Sequence, residues 1–304
     1  GWIPTTDDDV TDVPIKYNTE GIFGFGRDGA IQYALTNLVS NAGVVGTDVT
    51  GVGTARQEIS ACEYGGDKGI FGFAYSNTSP TYTSTTNLVS NAGVVATDVT
   101  GVGTARGYAA ACGYGYDKGI FGFGHNGSRV SMTNLVSNAG VVATDVTGVG
   151  TARHAPAACE YGGDKGIFGF GNDGSVCDIT NLVSNAGVVA TDVTGVGTSR
   201  NYLAACSYGY DKGIFGYGHD GSDQSMTNLV SNTGVLASDV TGVGTARYSL
   251  AATQYGEDKG IFGYGYITSA DVSMTNLVTN AGVVGTDVTG VGSVRASPAA
   301  CSFN

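Results

Sequence analysis

The residues of this chain that are able to do acid–base or metal chemistry are few and widely spaced. Its 304 residues include only three histidines, at positions 125, 154 and 219. No two of them have the H-x-x-x-H spacing that places two imidazoles around one metal ion. No serine–histidine–aspartate set can be assembled from the order of the residues either. The sequence therefore predicts a protein that is not an enzyme and that holds no metal or other cofactor.

Two short acidic segments have the composition of fragments of calcium-binding loops. They are NDGS, which begins at Asn172, and HDGSD, which begins at His219. A calcium loop of the EF-hand type ends on a bidentate glutamate, which neither segment has. Glycine-rich stretches are frequent, but none is followed by a helical pattern, as a phosphate-binding loop requires. All of these segments are better explained as turns.

The cysteines follow a repeat. Five of the six take equivalent places in repeated segments: Cys62, Cys112, Cys159, Cys206 and Cys301. Equivalent points of repeated units are usually farther apart than the roughly 4.4–6.8 Å between Cα atoms that a disulfide needs. The pattern therefore predicts small buried thiols. Cys177 is different, because it lies in a variable segment that allows an exposed, reactive thiol.

The repeat itself is six-fold. The tetrapeptide GIFG recurs about every 47–50 residues, with its phenylalanine at Phe23, Phe71, Phe121, Phe168, Phe215 and Phe262. Each unit contains four short extended runs separated by turn signals, and none has the apolar period of a helix. Four strands in a unit of this length are typical of one propeller blade. The predicted fold is therefore all-β, a six-bladed β-propeller with four antiparallel strands per blade.

One composite pattern also resembles a known family. The pattern TAR-x-x-LAAC-x-YG-x-DKGIFGYG-x-x-G is similar to the kelch motif, in which a basic residue leads into a small-residue strand, a turn and an apolar strand ending in glycines. The resemblance covers all six units, from roughly Val13 to the C-terminus. It departs from kelch in having Gly-aromatic-Gly for the double glycine and no tryptophan near the fourth strand. The resemblance implies a propeller that is closed by a C-terminal strand.

The sequence contains seven candidates for the six first strands, so one segment is not needed to complete the ring. SPAACSF at Ser297–Phe303 matches the first strand of the repeat better than VPIKYN at Val13–Asn18 does. We therefore expect the C-terminal segment to complete the blade that begins at Gly21, with the closure residues Ala299, Ala300, Cys301 and Phe303. The chain then divides into an N-terminal arm, residues 1–18, and a propeller, residues 19–304.

The arm combines apolar and acidic residues. Its apolar side chains are Trp2, Ile3, Val13, Ile15 and Tyr17. A frayed tail is the ordinary state of a chain end. The strand-like alternation and the tryptophan favour instead an arm that docks on the sheet edge of a second copy. Head-to-tail docking of this kind generates a filament or a ring.

The alternation of side chains within the second strand predicts how the blades pack. It places Phe71 and Phe73 on one face, and Ile70 and Gly72 on the other. The bulky face of one blade is then expected to pack on the small face of the next. Arginines and aspartates recur at equivalent places in every unit, and we expect them to fix the blade geometry, with an anion held near the axis by the arginines as the alternative.

The units differ mainly in two of their four connections. Because strands alternate in direction, both connections belong to one face of the predicted disc. Loops on a rigid scaffold are where binding usually resides. The candidate binding residues on this variable face are Arg27, Tyr75, His125, Asn126, Asp173, His219, Asp220 and Tyr266. Drift of solvent-exposed loops is the alternative explanation of the variation.

Charge and hydropathy exclude two classes of partner. A net charge of −12 argues against nucleic acid, which needs a basic surface. No apolar run approaches the ~20 residues of a membrane helix. Two functions fit what is left. The first is a structural protein, on the outside of a cell or on a virion, that assembles with copies of itself through the arm into a filament or appendage. The alternative is a lectin-like module that binds glycans or proteins through the variable face.

Overall fold

A computed structural model of the chain describes residues 18–304. Within this range the secondary structure consists of strands and turns, without a helix; no helix long and apolar enough to cross a membrane is therefore found there. The strands form six three-stranded antiparallel sheets and two short hairpins. The protein is all-β and built of repeated small sheets. The predicted arm residues Trp2, Ile3, Val13, Ile15 and Tyr17 lie outside the described residues.

Each three-stranded sheet has a first, a second and a third strand, and we number the sheets 1 to 6 by their second strands. The first strands of sheets 1 to 6 are Ala299–Phe303, Ser60–Tyr64, Ala110–Tyr114, Ala157–Tyr161, Ala204–Tyr208 and Ala251–Tyr255. The second strands are Glu20–Gly24, Lys68–Tyr75, Lys118–Gly122, Lys165–Asn172, Lys212–His219 and Lys259–Gly263. The third strands are Thr36–Val39, Tyr82–Val89, Thr133–Val136, Val176–Val183, Asp223–Val230 and Thr275–Val278. The two hairpins pair Arg27–Asp28 with Ile31–Gln32 and Tyr266–Ile267 with Ala270–Asp271.

The predicted fourth strand does not form a ladder. In sheet 4 it meets the third strand at two isolated bridges, Thr180 with Val193 and Val183 with Val189. Between them, the side-chain amide of Asn181 donates to the carbonyl of Ala190 at 3.0 Å. The amide of Ala190 also donates to the carbonyl of Leu182 at 2.8 Å, so a few backbone bonds and one side-chain bond hold this segment where we expected a continuous ladder. Each sheet has three strands in its ladder and a bridged edge segment.

The first strands lie side by side in a closed cycle. Each contacts the first strand of the next sheet, and Ala299–Phe303 contacts both Ala251–Tyr255 and Ser60–Tyr64. Their alanines and cysteines line a narrow central cavity of about 40 Å³, where Thr253 takes the cysteine position of sheet 6. The six sheets are therefore arranged around a common centre.

The C-terminal strand completes sheet 1. It pairs antiparallel with Glu20–Gly24, so that Cys301 lies opposite Ile22 and Ala300 opposite Phe23. The amide of Thr19 donates to the carbonyl of Asn304 at 2.9 Å. The two ends of the described chain therefore meet where the other sheets have a hairpin turn.

A ring of backbone hydrogen bonds joins these turns on one side of the molecule. The amide of Gly65 donates to the carbonyl of Asp117 at 2.8 Å, and three more turns repeat the bond. The ring passes across the chain ends, because Gly256 donates to Thr19 at 2.8 Å and Asn304 donates to Asp67 at 3.0 Å. We call this side, which carries the nearly invariant turns, the constant face.

Neighbouring sheets pack large side chains on glycines. A Cβ on Gly122 would lie 2.7 Å from Cζ of Phe168, in the next sheet, and a Cβ on Gly119 would lie 2.5 Å from Sγ of Cys62, in the preceding one. The two glycines of K-G-I-F-G thus leave room for a phenylalanine of the next sheet and a cysteine of the preceding sheet. Burial of one such phenylalanine stabilises the fold by roughly 1.5–3 kcal/mol. The packing of bulky on small residues is as the sequence predicts.

The prediction that Phe71 and Phe73 share a face is wrong. The Phe71 ring lies 5.2 Å from that of Phe25 in sheet 1, whereas the Phe73 ring lies 5.1 Å from that of Phe121 in sheet 3. Phe73 has a φ of 51°, and the pairing register shifts around it. This bulge turns its side chain to the face of Ile70. Each second strand therefore presents an aromatic ring to both neighbouring sheets.

Candidate functional site

Aromatic side chains form a continuous surface on the side opposite the constant face. The ring of Tyr75 contacts those of Tyr82 and Tyr108, with centroids 5.7 and 6.0 Å apart. Tyr108 in turn contacts Tyr202 at 6.2 Å. Ring contacts thus connect sheets 2, 3 and 5, with the small Ala155 of sheet 4 between the last two.

The surface continues into the remaining sheets. Tyr202 contacts Tyr248 at 6.0 Å, and Tyr248 contacts Tyr266 at 5.4 Å. The guanidinium carbon of Arg27, in sheet 1, lies 5.7 Å from the centre of the Tyr266 ring. The chain of contacts therefore reaches from sheet 2 round to sheet 1.

The three histidines belong to the same surface. His154 contacts Tyr108 at 5.9 Å and His125 at 5.7 Å, and His219 contacts Tyr248 at 5.1 Å. We call the whole set the aromatic face; its members are Arg27, Tyr75, Tyr82, Tyr108, His125, His154, Tyr202, His219, Tyr248 and Tyr266. The rings are half-buried, so each keeps an accessible edge or tip.

Local backbone pairing positions these side chains. The residue after each buried arginine forms a backbone bridge with a residue at the end of the second strand of its own sheet or just beyond it, as Asn201 does with His219 and Tyr248 with Tyr266. The next residue has a positive φ, between 48° and 56°, at Glu58, Tyr108, Ala155, Tyr202, Ser249 and Ser297. This conformation turns the chain sharply into the first strand.

Those six residues surround an opening at the centre of the aromatic face. Each amide donates to the carbonyl of the residue before it in the series, from Tyr108 to Glu58 at 3.1 Å through to Ser297 to Ser249 at 2.7 Å. The opening is a shallow depression of about 80 Å³ that the six residues and their successors line. A rim of five backbone hydrogen bonds thus gives the variable side chains a rigid base.

Two of the histidines, His125 and His154, favour the uncharged form because their pKa values are lowered. Burial lowers the pKa of His154 to about 4, and the nearby Arg129 and His125 act in the same direction. Burial and Arg129 also lower the pKa of His125. Nδ1 of His125 accepts from the amide of Gly127 at 3.2 Å and from the hydroxyl of Tyr82 at 2.8 Å. The aromatic face therefore combines apolar rings with neutral donors and acceptors.

Glu58 is the one carboxylate among the described residues that line the opening. Its Oε1 accepts a hydrogen bond from Oγ of Ser297 at 2.6 Å. Burial raises the pKa of Glu58 to about 7, against smaller opposite effects of Ser297 and Arg27. Burial raises the pKa of Tyr108 and of Tyr202 as well, and the charge of Glu58 adds to both shifts. A weakly acidic group therefore lies among phenol rings.

The structure divides the predicted binding residues into two groups. Five of them lie in the aromatic face: Arg27, Tyr75, His125, His219 and Tyr266. The other three cap outer turns, because side-chain oxygens of Asn126, Asp173 and Asp220 accept from amides two residues further on, at 3.1 to 3.3 Å. Side chains of this type commonly stabilise turns in this way.

Sequence reasoning missed six residues of this site: Glu58, Tyr82, Tyr108, His154, Tyr202 and Tyr248. Five of them follow a buried arginine by one or two residues, in the segments that differ most between units. The variation of these segments between units was the signal in the sequence that could have indicated these residues. The contacts between them join different sheets and are not visible in a linear pattern.

The repeated arginines are part of the scaffold. Arg106 is fully buried and donates from Nε to the carbonyl of Phe123 at 2.8 Å and from Nη2 to Oδ1 of Asn134 at 2.7 Å. Its guanidinium also lies near Asp145, which accepts from the hydroxyl of Thr104 at 2.6 Å. These bonds support the role in blade geometry over that of an anion site.

The cysteines offer no reactive group on the surface. All six are buried, and none forms a disulfide within the described part of the chain. The expectation of an exposed Cys177 is wrong: its side chain lies in a strand pair, with Sγ 3.5 Å from the carbonyl of Gly171. Residues 18–304 contain no cluster of histidine, cysteine and carboxylate side chains that would hold a metal ion.

No protein-family model matches the chain, and no curated protein matches its sequence. The similarity to kelch repeats therefore stays a prediction. The repeated three-stranded antiparallel sheets are compatible with it.

Proposed function

We propose that the chain is a six-bladed β-propeller that binds a glycan on its aromatic face without catalysing a reaction. Each three-stranded sheet would be a blade, with the bridged edge segment as its fourth strand. The closed cycle of first strands around one cavity supports this architecture. Rigid rings of this kind commonly present ligand sites at the loops of one face.

The observation that carries the proposal is the unbroken series of ring contacts from Tyr75 to Tyr266. Tyrosine and histidine present an apolar ring together with a polar tip. A pyranose has an apolar face of C–H groups, which stacks on such rings, and hydroxyls that bond their tips. A shallow aromatic surface with neutral polar groups therefore suits a sugar chain that lies across it.

Replacement of Tyr202 by alanine tests the site. Tyr202 contacts Tyr108, His154 and Tyr248, so its replacement removes the ring that connects the two halves of the aromatic face. Loss of one stacking partner of this kind costs on the order of 1–3 kcal/mol. We expect at least a tenfold weaker affinity for the best ligand of a glycan array, measured by calorimetry.

The matched control is Tyr210→Ala, which removes an exposed tyrosine of the constant face. Its affinity should equal that of the parent protein. The proposal fails when no glycan binds the parent protein, or when the Tyr202 and Tyr210 variants bind equally well.

A second function is favoured by the constant face. One valine in each unit is 61% to 65% exposed there, in the turn after the third strand: Val44, Val94, Val141, Val188, Val235 and Val283. Together they offer apolar contacts at six equivalent places to a second copy of the chain. We propose that copies of the chain assemble through this face, as part of an extracellular filament, an appendage or a virion.

Asn18, the first described residue, lies at the same face. Asn18 is buried, its amide nitrogen Nδ2 donates to Glu63 at 2.5 Å, and its carbonyl accepts from Glu257 at 3.2 Å. A Cβ on Gly256 would lie 2.7 Å from the carbonyl of Asn41, which is in the turn of Val44. The segment that precedes Asn18 is therefore attached beside the exposed valines of this face.

Deletion of residues 1–12 tests the assembly. The full chain should form ordered polymers by electron microscopy and sediment as large species, whereas the shortened chain should sediment as a monomer. Unchanged assemblies would exclude the arm as the connecting segment. A chain with Val94, Val188 and Val283 replaced by aspartate should lose the assembly even when the arm is present.

A further inference from the structure

The six side chains around the central opening are unequal. Following the rim hydrogen bonds, the order is Glu58, Tyr108, Ala155, Tyr202, Ser249 and Ser297. Tyr108 and Tyr202 contact each other past the small Ala155 and cover one half of the opening. The other half holds Glu58 between Ser297 and Tyr108. The opening therefore has an aromatic side and an acidic side.

Glu58 is costly to keep in this place. Within residues 18–304, no lysine or arginine forms an ion pair with its carboxylate, which accepts a hydrogen bond from the neutral hydroxyl of Ser297. A carboxylate that is withdrawn from water without a counter-ion destabilises a fold. The equivalent positions in the other units carry tyrosine, alanine or serine, so the ring closes without an acid there. The acid is thus not needed for the packing of the rim.

The charged and titratable groups around Glu58 are few. Tyr108 and Tyr202 come from sheets 3 and 5, and Arg27 from sheet 1 acts on the carboxylate only weakly, after burial and the Ser297 bond. His154, beside the two tyrosines, is neutral because burial lowers its pKa to about 4. A cation that enters the opening therefore meets one carboxylate and two phenol rings.

We infer that the opening binds the ammonium group of an amino sugar, with the positive charge against Glu58 and the neighbouring C–H groups of the sugar against the rings of Tyr108 and Tyr202. Carboxylates and aromatic faces together recognise ammonium groups, since both attract a cation. A depression of about 80 Å³ has room for an ammonium substituent but not for a sugar ring. The ring of the sugar would stay above it, on the aromatic face.

This inference rests on the proposed glycan binding and names the class of sugar. An N-acetylated sugar is neutral at the same position and gains nothing from Glu58. A sugar acid would be repelled by Glu58 and by the net charge of −12. A glucosamine oligomer is therefore the preferred ligand.

The test compares two oligomers of equal length. One is a glucosamine oligomer with trimethylated nitrogens, whose charge does not change with pH, and the other is its N-acetylated form. At pH 8.5 we expect the parent protein to bind the charged oligomer at least tenfold more tightly, by calorimetry. Glu58→Gln should bind the two equally. At pH 5.5, where Glu58 is protonated, the preference of the parent protein should decrease as well.

The control is Glu257→Gln, which removes the same charge from an exposed site on the constant face. It should keep the preference of the parent protein. Equal binding of the two oligomers by the parent protein, or a preference that survives in Glu58→Gln, overturns the ammonium site and leaves glycan binding intact. Absence of binding to every glycan would instead overturn the proposed function itself.

Discussion

The guanidinium carbon of Arg106 lies 4.1 Å from the centre of the Phe73 ring, and the two residues belong to neighbouring sheets. The same pair, with tyrosine in place of phenylalanine twice, recurs at all six sheet interfaces with distances of 3.9 to 4.5 Å. In five of the six units the arginine also bonds the asparagine of its own third strand, and it therefore links two sheets at one point.

Replacement of Arg106 by lysine should destabilise the fold by about 2–3 kcal/mol, because an ammonium group cannot reproduce the bonds to Phe123 and Asn134 together. The free energy of unfolding in urea measures the effect. Arg129→Lys is the control, since Arg129 is exposed and bonds Asn172 on the surface; its change should stay below about 0.5 kcal/mol. Equal losses in both variants would contradict the structural role of Arg106.

Gly122→Ala should cost about 1–3 kcal/mol, because its Cβ would lie 2.7 Å from the buried ring of Phe168. The matched control is Gly46→Ala, whose Cβ would meet only the carbonyl of Leu38 at 3.6 Å. Its equivalent in the next unit is Ala96, so this variant should be as stable as the parent. Thermal unfolding compares the two. A stable Gly122 variant would disprove the packing of phenylalanine on glycine.

Acid should loosen the links between sheets. Burial acts to raise the pKa of Asp98, but hydrogen bonds from Thr54 and Asn87 outweigh it and hold that pKa below its ordinary value. The pKa of the equivalent aspartates is lowered in the same way: Asp48, Asp145, Asp192, Asp239 and Asp287. A carboxyl whose pKa is lower in the folded state stabilises the fold above about pH 4, and this is lost as pH falls further.

The measurement is the urea midpoint between pH 7 and pH 2. It should decrease steeply below about pH 4. Asp98→Asn removes one of the six groups, so this variant should show a shallower decrease. A midpoint that is constant over the acid range would rule out these bonds as a source of stability.

Glu58 should have the opposite effect on the pH dependence of stability, because it destabilises the fold as pH rises. Its pKa of about 7 in the folded protein exceeds its ordinary value of 4.5. The folded state therefore prefers the protonated acid, and its contribution to stability is present below pH 4.5 and lost as pH rises through 7. Glu58→Gln should be more stable than the parent at pH 8.5 and equally stable at pH 4. A variant that is less stable at both values would show that the carboxylate is needed for folding.

The sequence predicted much of what repeats. The spacing of Phe71 and its equivalents predicts small repeated sheets, and the glycines beside them predict packing of large on small residues. The match of Ser297–Phe303 to the other first strands predicts the pairing that Cys301 and Ile22 make. Such features are local in each unit, so their period is sufficient to find them.

Other features depend on the backbone or on contacts between units. The positive φ of Phe73 reverses its side chain, and strand alternation alone gives the wrong face. Cys177 lies in a variable segment, yet the long strand pair of sheet 4 buries it. Tyr108 and Tyr202 are in different units, and only the curvature of the ring brings them together. These are consequences of tertiary geometry that no period in the sequence encodes.

The packing of Phe168 on Gly122, and of its equivalents elsewhere, has a consequence for how such a chain diversifies. Since every junction uses the same partners, a unit that is duplicated, exchanged or moved to another place by recombination meets surfaces it already fits. New combinations of ligand-contacting residues can then arise by exchange of whole units, with little change in the free energy of unfolding.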